Sequence, residues 1–386
     1  MQGATDINTE EGLWNIENPF EGFDRYSYAC TEHRKAQQEF NRFVKAHERK
    51  GKQVRKIAMM VGKYDGMDCF STGRVYGQKK DYWEYSTPEE SWDLLKVFYP
   101  QAKIGSIYHF VSKGGNTNLR EKDEKFLKAW PHLYGGNALD YQSLGYYSST
   151  PYGVIDLISS DAKNLSDYSF IFLTGWNSCS EQQLKRLCDY LEQGGTLMLC
   201  KLHLYDSFDR ESVLTGKASV IKSEYVDKLL SYEKKGNLIY FDKDSYPIEF
   251  KEEYAKELQK AGEKYSSNIF TDSDAISFAE YERENGAKCF YLINIRWWNN
   301  QPASIKLNLS NSEYDLTFRD NDMKLIGVSP DKNTAVLVES LDVDILSIDN
   351  DKVVLKGIGK AKVAIFNDSI TESLIDVYDK EIIRFN

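Results

Sequence analysis

The apolar positions between residues 151 and 200 fall into three short runs, at 154–158, 170–174 and 196–200, with a helix-period segment between the second and third. Ser180 stands where a helix N-cap belongs, Leu184, Leu187 and Leu191 recur at helical spacing, and Gly194 with Gly195 stops the pattern. Short continuous apolar runs suit strands buried on both faces, and a 3.6-residue period suits an amphipathic helix. Strand, strand, helix, strand, joined by short polar segments, predicts an open α/β sheet.

The pattern extends both ways. Upstream, residues 31–51 form a helical stretch with Thr31 as cap and Phe40, Phe43 and Val44 on one face, followed by the buried-strand run KIAMMVG at 56–62. Thr87 and Glu90 make a capping box around Pro88, with Trp92, Leu95 and Phe98 as the apolar face of the helix it opens. Residues 101–150, rich in Gly, Asn, Tyr and Ser, read as a long insertion with one short helix at about 121–130. After residue 200 come the helix SEYVDKLLSYEKKG, the strand GNLIYFD and the helix EEYAKELQKAGEKY. Beyond Ser273 the period changes to two, in ISFAEYE, KCFYLINI, ASIKLNLS, DLTFRD, TAVLVESLDVDILSI and KVVLKGIGKAKVAIF, which predicts an antiparallel sandwich. The expected divisions are an irregular segment plus helix at 1–50, an α/β domain at 51–272 and a β-sandwich at 273–386.

Length and charge narrow the partners. At 386 residues the chain exceeds one ordinary core. A net charge of −10 argues against nucleic acid, whose phosphates need clustered Lys and Arg. No apolar run reaches the roughly 18 residues of a membrane helix, so no membrane partner is expected. The start MQGATDINTEEG has no basic n-region and no apolar h-region, and the six cysteines form no CxxC pair, so a reducing, cytoplasmic location is expected. The five histidines have no metal-ligand spacing, and the glycine pairs at 114–115 and 135–136 lack the strand-before, helix-after context of a phosphate loop. No metal and no cofactor are expected. The 26 Tyr and 7 Trp supply faces that stack on sugars or anchor interfaces, as well as core filling.

The runs KIAMMVG, PEESWDLLKVFYP and YGVIDLISSDAKNLSDYSFIFLTGWNSCSEQQLKRLCDYLEQGGTLMLCKLHL resemble the class I glutamine-amidotransferase-like domain. More narrowly they resemble the version attached to glycoside hydrolases, the trimerisation domain of β-galactosidases that also carry a catalytic β-barrel. The resemblance covers roughly residues 50–386. It implies a flavodoxin-like open parallel sheet with helices on both faces, then an all-β antiparallel sandwich. It further implies a carbohydrate partner and a homo-oligomer, with the chain serving as the C-terminal portion, or a barrel-less relative, of a glycoside hydrolase. A catalytic (β/α)₈ barrel needs about 250 residues, and residues 1–30 offer room only for the end of one.

Candidate residues follow. Glu11, beside Glu10, is the candidate catalytic carboxylate, with its second carboxylate to come from Asp65, Asp68 or a missing barrel; a solvated acidic terminus is the simpler and favoured reading of the pair. Trp176 and Asn177 follow the strand FIFLTG, and Asp65 follows KIAMMVG, so all three fall beyond strand carboxyl ends, where open α/β sheets bind ligands. A stacking face with polar neighbours suits a sugar, and an interface would also bury Trp176. Trp297 and Trp298, followed by Asn299 and Asn300, form a second aromatic candidate between strands. Cys200 ends a strand near the place of an amidotransferase nucleophile, with His203 close behind. The sequence LMLCKLHL has no elbow glycines and no later histidine, so Cys200 reads as a core thiol and His203 as a loop residue. The alternatives to the hydrolase-associated reading are a stand-alone carbohydrate-binding or scaffold protein and an amidotransferase-like Cys hydrolase.

Overall fold

The computed structural model describes residues 41–47, 50–61, 94, 97–98, 152–174, 179–206, 216–245, 247–266, 269–271, 276–294, 302–319, 323–366 and 369–385. After a helical stretch at 41–46 the chain forms β1 (Lys52–Gln53), then β2 (Ile57–Val61), β3 (Ile155–Ser159), β4 (Phe170–Leu173), α1 (Glu181–Glu192), β5 (Thr196–Cys200), α2 (Glu224–Ser231), β6 (Leu238–Phe241) and α3 (Lys251–Tyr265).

Strands β2 to β6 make one parallel sheet in the order β3-β2-β4-β5-β6. Counted from its first strand the order is 2-1-3-4-5, so the chain enters inside the sheet and builds outward on both sides. Side chains alternate between two cores. Ala58, Met60, Ile171, Leu173, Leu197 and Leu199 meet α1 and α2 through Leu184, Leu187, Leu191, Val226 and Leu229. Ile57, Met59, Phe170, Phe172, Met198 and Cys200 meet Leu94, Phe98 and α3 through Tyr254, Leu258 and Ala261. β2, β4 and β5, covered on both faces, are apolar at nearly every position, which is why their runs lack alternation, whereas the edge strand β3 alternates and carries Asp156 and Ser159. The helix ends follow local rules: the Ser180 hydroxyl accepts from the Gln183 N–H at 3.2 Å, and the chain reverses after α1 through Gly194.

From residue 270 the chain is antiparallel: β7 (Phe270–Thr271), β8 (Ile276–Glu282), β9 (Lys288–Asn294), β10 (Ala303–Leu309), β11 (Ser312–Phe318), β12 (Met323–Val328), β13 (Thr334–Val338), β14 (Val343–Ile348), β15 (Lys352–Phe366) and β16 (Ile370–Arg384). A three-stranded sheet, β11-β10-β7, packs on one face of an eight-stranded sheet, β1-β8-β9-β12-β13-β15-β14, with β16 also paired to β15. Phe278, Phe290, Ile305, Leu307, Leu316 and Phe318 fill the space between the sheets.

The β-rich part departs from a simple two-sheet sandwich. The large sheet curls, so that Val343, Ile345, Val353 and Leu355 cover its other face against Tyr291, Leu325 and Val336. A register shift between Ile345 and Ser347 and the left-handed Gly357 (φ +132°) give β15 its bend. The first half of β15 pairs with β14 and the second half with β13.

The segment before the parallel sheet belongs to this curled layer. β1 pairs with β8, Lys52 opposite Glu282 and Gln53 opposite Tyr281. Phe43 lies in the core under the curl. The Arg42 guanidinium holds the Asp342 carboxylate through two bonds of 2.9 and 2.7 Å, and the Lys50 ammonium meets Asp344 at 2.5 Å. The β-rich part is therefore assembled from two stretches of chain with the α/β part between them. No described helix is long and apolar enough to cross a membrane.

Candidate functional site

In a doubly wound sheet the crevice lies beyond the carboxyl ends of the two strands where the winding reverses. Here those strands are β2 and β4, which are hydrogen-bonded neighbours with Met60 opposite Leu173. Asp65 follows the end of β2 by four residues, and Trp176 and Asn177 follow the end of β4 by three and four. The structure thus brings the chain exits that lead to the candidate sugar contacts side by side. Asp65, Trp176 and Asn177 themselves lie outside the described residues, as do Glu10, Glu11, Asp68, Trp297 and Trp298.

The described part of this edge is held by groups that periodicity alone does not identify. Tyr254, wholly buried on α3, donates its hydroxyl to the Leu173 carbonyl at the end of β4, and the Met198 carbonyl of β5 lies 3.5 Å away. Burial raises this phenol well above its usual 10. The helix-face spacing of Tyr254, Leu258 and Ala261 signals burial, and nothing in the sequence signals the hydroxyl's partner. Thr174, one residue past β4, is 1% exposed, and its hydroxyl has no hydrogen-bond partner among the described residues.

At the adjoining ends of β5 and β6 a charged cluster faces solvent. The Lys201 ammonium lies 2.9 Å from Asp244 and 3.7 Å from Asp242, and the Tyr205 hydroxyl donates to Asp244 at 2.8 Å. The hydrogen bond from Lys201 holds the Asp244 carboxyl below its usual range, and the bond to Asp244 raises Lys201. These contacts tie the turn after β5 to the loop after β6.

Cys200 and His203 are brought together, with Sγ 3.3 Å from Nδ1. The arrangement differs from the loop histidine expected, because His203 is 1% exposed inside the 3-10 turn Lys201–Leu204. Its Nδ1 accepts the Cys200 backbone N–H at 3.0 Å, and the Cys200 thiol donates to the Ser245 carbonyl at 3.6 Å. Burial pushes the thiol up to about 12. A thiol at that value is ionised to roughly one part in 10⁵ at neutral pH, and thiolate is the nucleophilic form. The pair therefore caps a turn rather than arming a nucleophile. In a pulse of iodoacetamide on the folded protein at neutral pH, followed by peptide mass spectrometry, Cys200 should stay unmodified, as should the buried Cys179, Cys188 and Cys289. Rapid labelling of Cys200 would restore the Cys hydrolase reading.

Among the described residues no group of three or more His, Cys, Asp or Glu is arranged to hold a metal. No protein-family model matches the chain. No curated protein matches it either. Among solved structures it is similar to a catalytic mutant of Gan42B, a GH42 β-galactosidase from G. stearothermophilus, at 10% identity and a TM-score of 0.40, over 79% of this chain and 44% of that one. A second structure of Gan42B gives 11% identity and a TM-score of 0.30, over 46% and 34%. The apo exo-carrageenase GH42 from Bacteroides ovatus gives 11% and 0.29, over 46% and 24%. The chain spans less than half the length of each of these structures.

Proposed function

We propose that the chain is the C-terminal portion, or a barrel-less relative, of a glycoside hydrolase, and that it assists carbohydrate binding and oligomer assembly without cleaving a glycosidic bond itself. The observation that supports this reading is a parallel sheet of strand order 2-1-3-4-5 running directly into antiparallel β layers, the arrangement that the resemblance implies. The order reverses between β2 and β4, the strands that precede Asp65, Trp176 and Asn177, which is where such sheets bind ligands. The buried Cys200 and His203 weigh against amidotransferase chemistry.

Binding is tested by a glycan array followed by titration calorimetry on the best ligand. Wild type should bind a glycan, and Trp176→Ala should weaken it by about tenfold or more through loss of stacking. Neither wild type nor Glu11→Gln should turn over aryl glycosides. Absence of any glycan ligand, or equal binding by Trp176→Ala, would remove the carbohydrate role. Turnover lost on Glu11→Gln would make the chain an enzyme in its own right.

A further inference from the structure

Among the described residues, five of the seven exposed large apolar side chains sit on the β15–β16 hairpin: Ile358, Ile370, Leu374, Tyr378 and Ile382. Tyr378 is 70% exposed and lies opposite Ile358, which is 71% exposed. β16 pairs with β15 over its whole length, and its other edge has no strand partner among the described residues. An edge about 50 Å long with an apolar outer face invites another strand.

The order of side chains on that face is self-complementary. Every second residue from 372 reads Glu372, Leu374, Asp376, Tyr378, Lys380, Ile382, Arg384. Acids occupy one half, bases the other, with an apolar residue between the members of each pair and a tyrosine at the centre. Turned end for end about Tyr378, the same strand sets Glu372 against Arg384, Leu374 against Ile382, Asp376 against Lys380 and Tyr378 against itself. Scattered lysines or acids blunt an edge; a segregated, antisymmetric row complements its own copy.

The neighbouring strand accentuates the pattern. Asp376 and Glu372 have Lys360 and Lys362 from β15 within 3.8 and 3.3 Å. At the other end Lys380 stands opposite Lys356 and Arg384 opposite Lys352, like charge beside like charge. Lys380 and Arg384 form no ion pair among the described residues. An antiparallel second copy supplies the acids this end lacks. Only registers that pair even positions with even keep the apolar row on one face. Asp379 (φ +67°) and Gly357 coil the hairpin without shifting its register.

We propose that β16 is a homodimer interface, two copies pairing their β16 strands antiparallel about a two-fold axis through Tyr378 to join their curled sheets into one. The contact is isologous, so every favourable pair off the axis occurs twice. It gives the assembly role proposed above a surface, and its failure leaves the carbohydrate role, read by glycan binding, untouched.

Sedimentation of the full chain at micromolar concentration should give twice its 44.5 kDa. Asp376→Lys sets base against base twice and should raise the dimer dissociation constant by about a hundredfold. Adding Lys380→Asp to it restores opposite charges only if positions 376 and 380 of different copies meet, and should bring the constant back to within about threefold of wild type. Tyr378→Cys, oxidised with copper phenanthroline, should give a reducible covalent dimer, while Leu374→Cys should not, since only position 378 faces itself. A monomer at all concentrations would overturn the proposal. So would a dimer indifferent to Asp376→Lys, failure of the charge swap to rescue, or a β16 edge that captures only a different protein.

Discussion

Gly357→Ala should lower the stability of the β-rich part by about 4 kcal/mol or more, a drop of about 15 °C in its melting temperature by calorimetry. Gly357 has φ +132°, which L side chains rarely adopt, and a Cβ there would overlap the carbonyl oxygen of Asp342. That oxygen belongs to a turn with little freedom. The Val343 N–H donates to the Ser340 carbonyl at 3.0 Å, and the Asp342 carboxylate is held by Arg42. Gly194→Ala is the control. Gly194 has φ +90° with nothing within 4 Å of a built Cβ, so only backbone strain applies, about 1 kcal/mol. Equal small losses at both sites would mean that the turn yields, and that close approach is not what bends β15.

The second large effect falls at Tyr254, which joins α3 to the carboxyl edge of the parallel sheet. Tyr254→Ala should cost about 4 kcal/mol through the cavity left in a fully buried site. Tyr254→Phe should cost about 1–3 kcal/mol, because the Leu173 carbonyl loses its donor while the ring stays. The same hydroxyl sets an alkaline limit. Its folded value is raised by burial, so its contribution is complete below the ordinary value of 10. Above pH 10 the unfolded chain ionises while the folded protein keeps the proton, and stability falls by about 1.4 kcal/mol per pH unit for this group. Urea titrations between pH 9 and 12 should show a shallower decline for Tyr254→Phe than for wild type. Parallel curves would show that the phenol is not held neutral by the fold.

The parallel sheet was legible because its code is local. The runs at 56–62, 154–158, 170–174 and 196–200 meet β2 to β5 within a residue or so, and Ser180 caps α1 as its position implied. Strands covered on both faces must be apolar throughout, so composition alone marks them. The curl was not legible. TAVLVESLDVDILSI reads as one alternating run and is two strands, β13 and β14, broken where Ser340 and Asp342 meet the bend of β15. β16 was not legible either, because its outer face mixes charges with Leu374, Tyr378 and Ile382, which hides the period of two. The pairing of β1 with β8 depends on residues about 230 positions apart, and two polar residues carry no trace of it. At the candidate site the sequence supplied the chain exits from β2 and β4, while the Tyr254 hydroxyl and the burial of His203 depend on distant packing.

The clasp of residues 41–53 on the curled sheet has a consequence for how the chain is made. Arg42 and Asp342 are 300 residues apart, and among the described residues Phe43 packs on His47 of its own segment and on residues of the curled sheet such as Tyr291. At about 5–20 residues per second, a ribosome needs on the order of 15–60 s to deliver them. Once Tyr265 is made the parallel sheet has all its strands and its α3 cover and can close, while the strands that pack on Phe43 are still to come. The nascent chain thus carries residues 41–53 without their partners on the curled sheet through most of the synthesis that follows them, and it is this segment, rather than the α/β part, that would call on a chaperone.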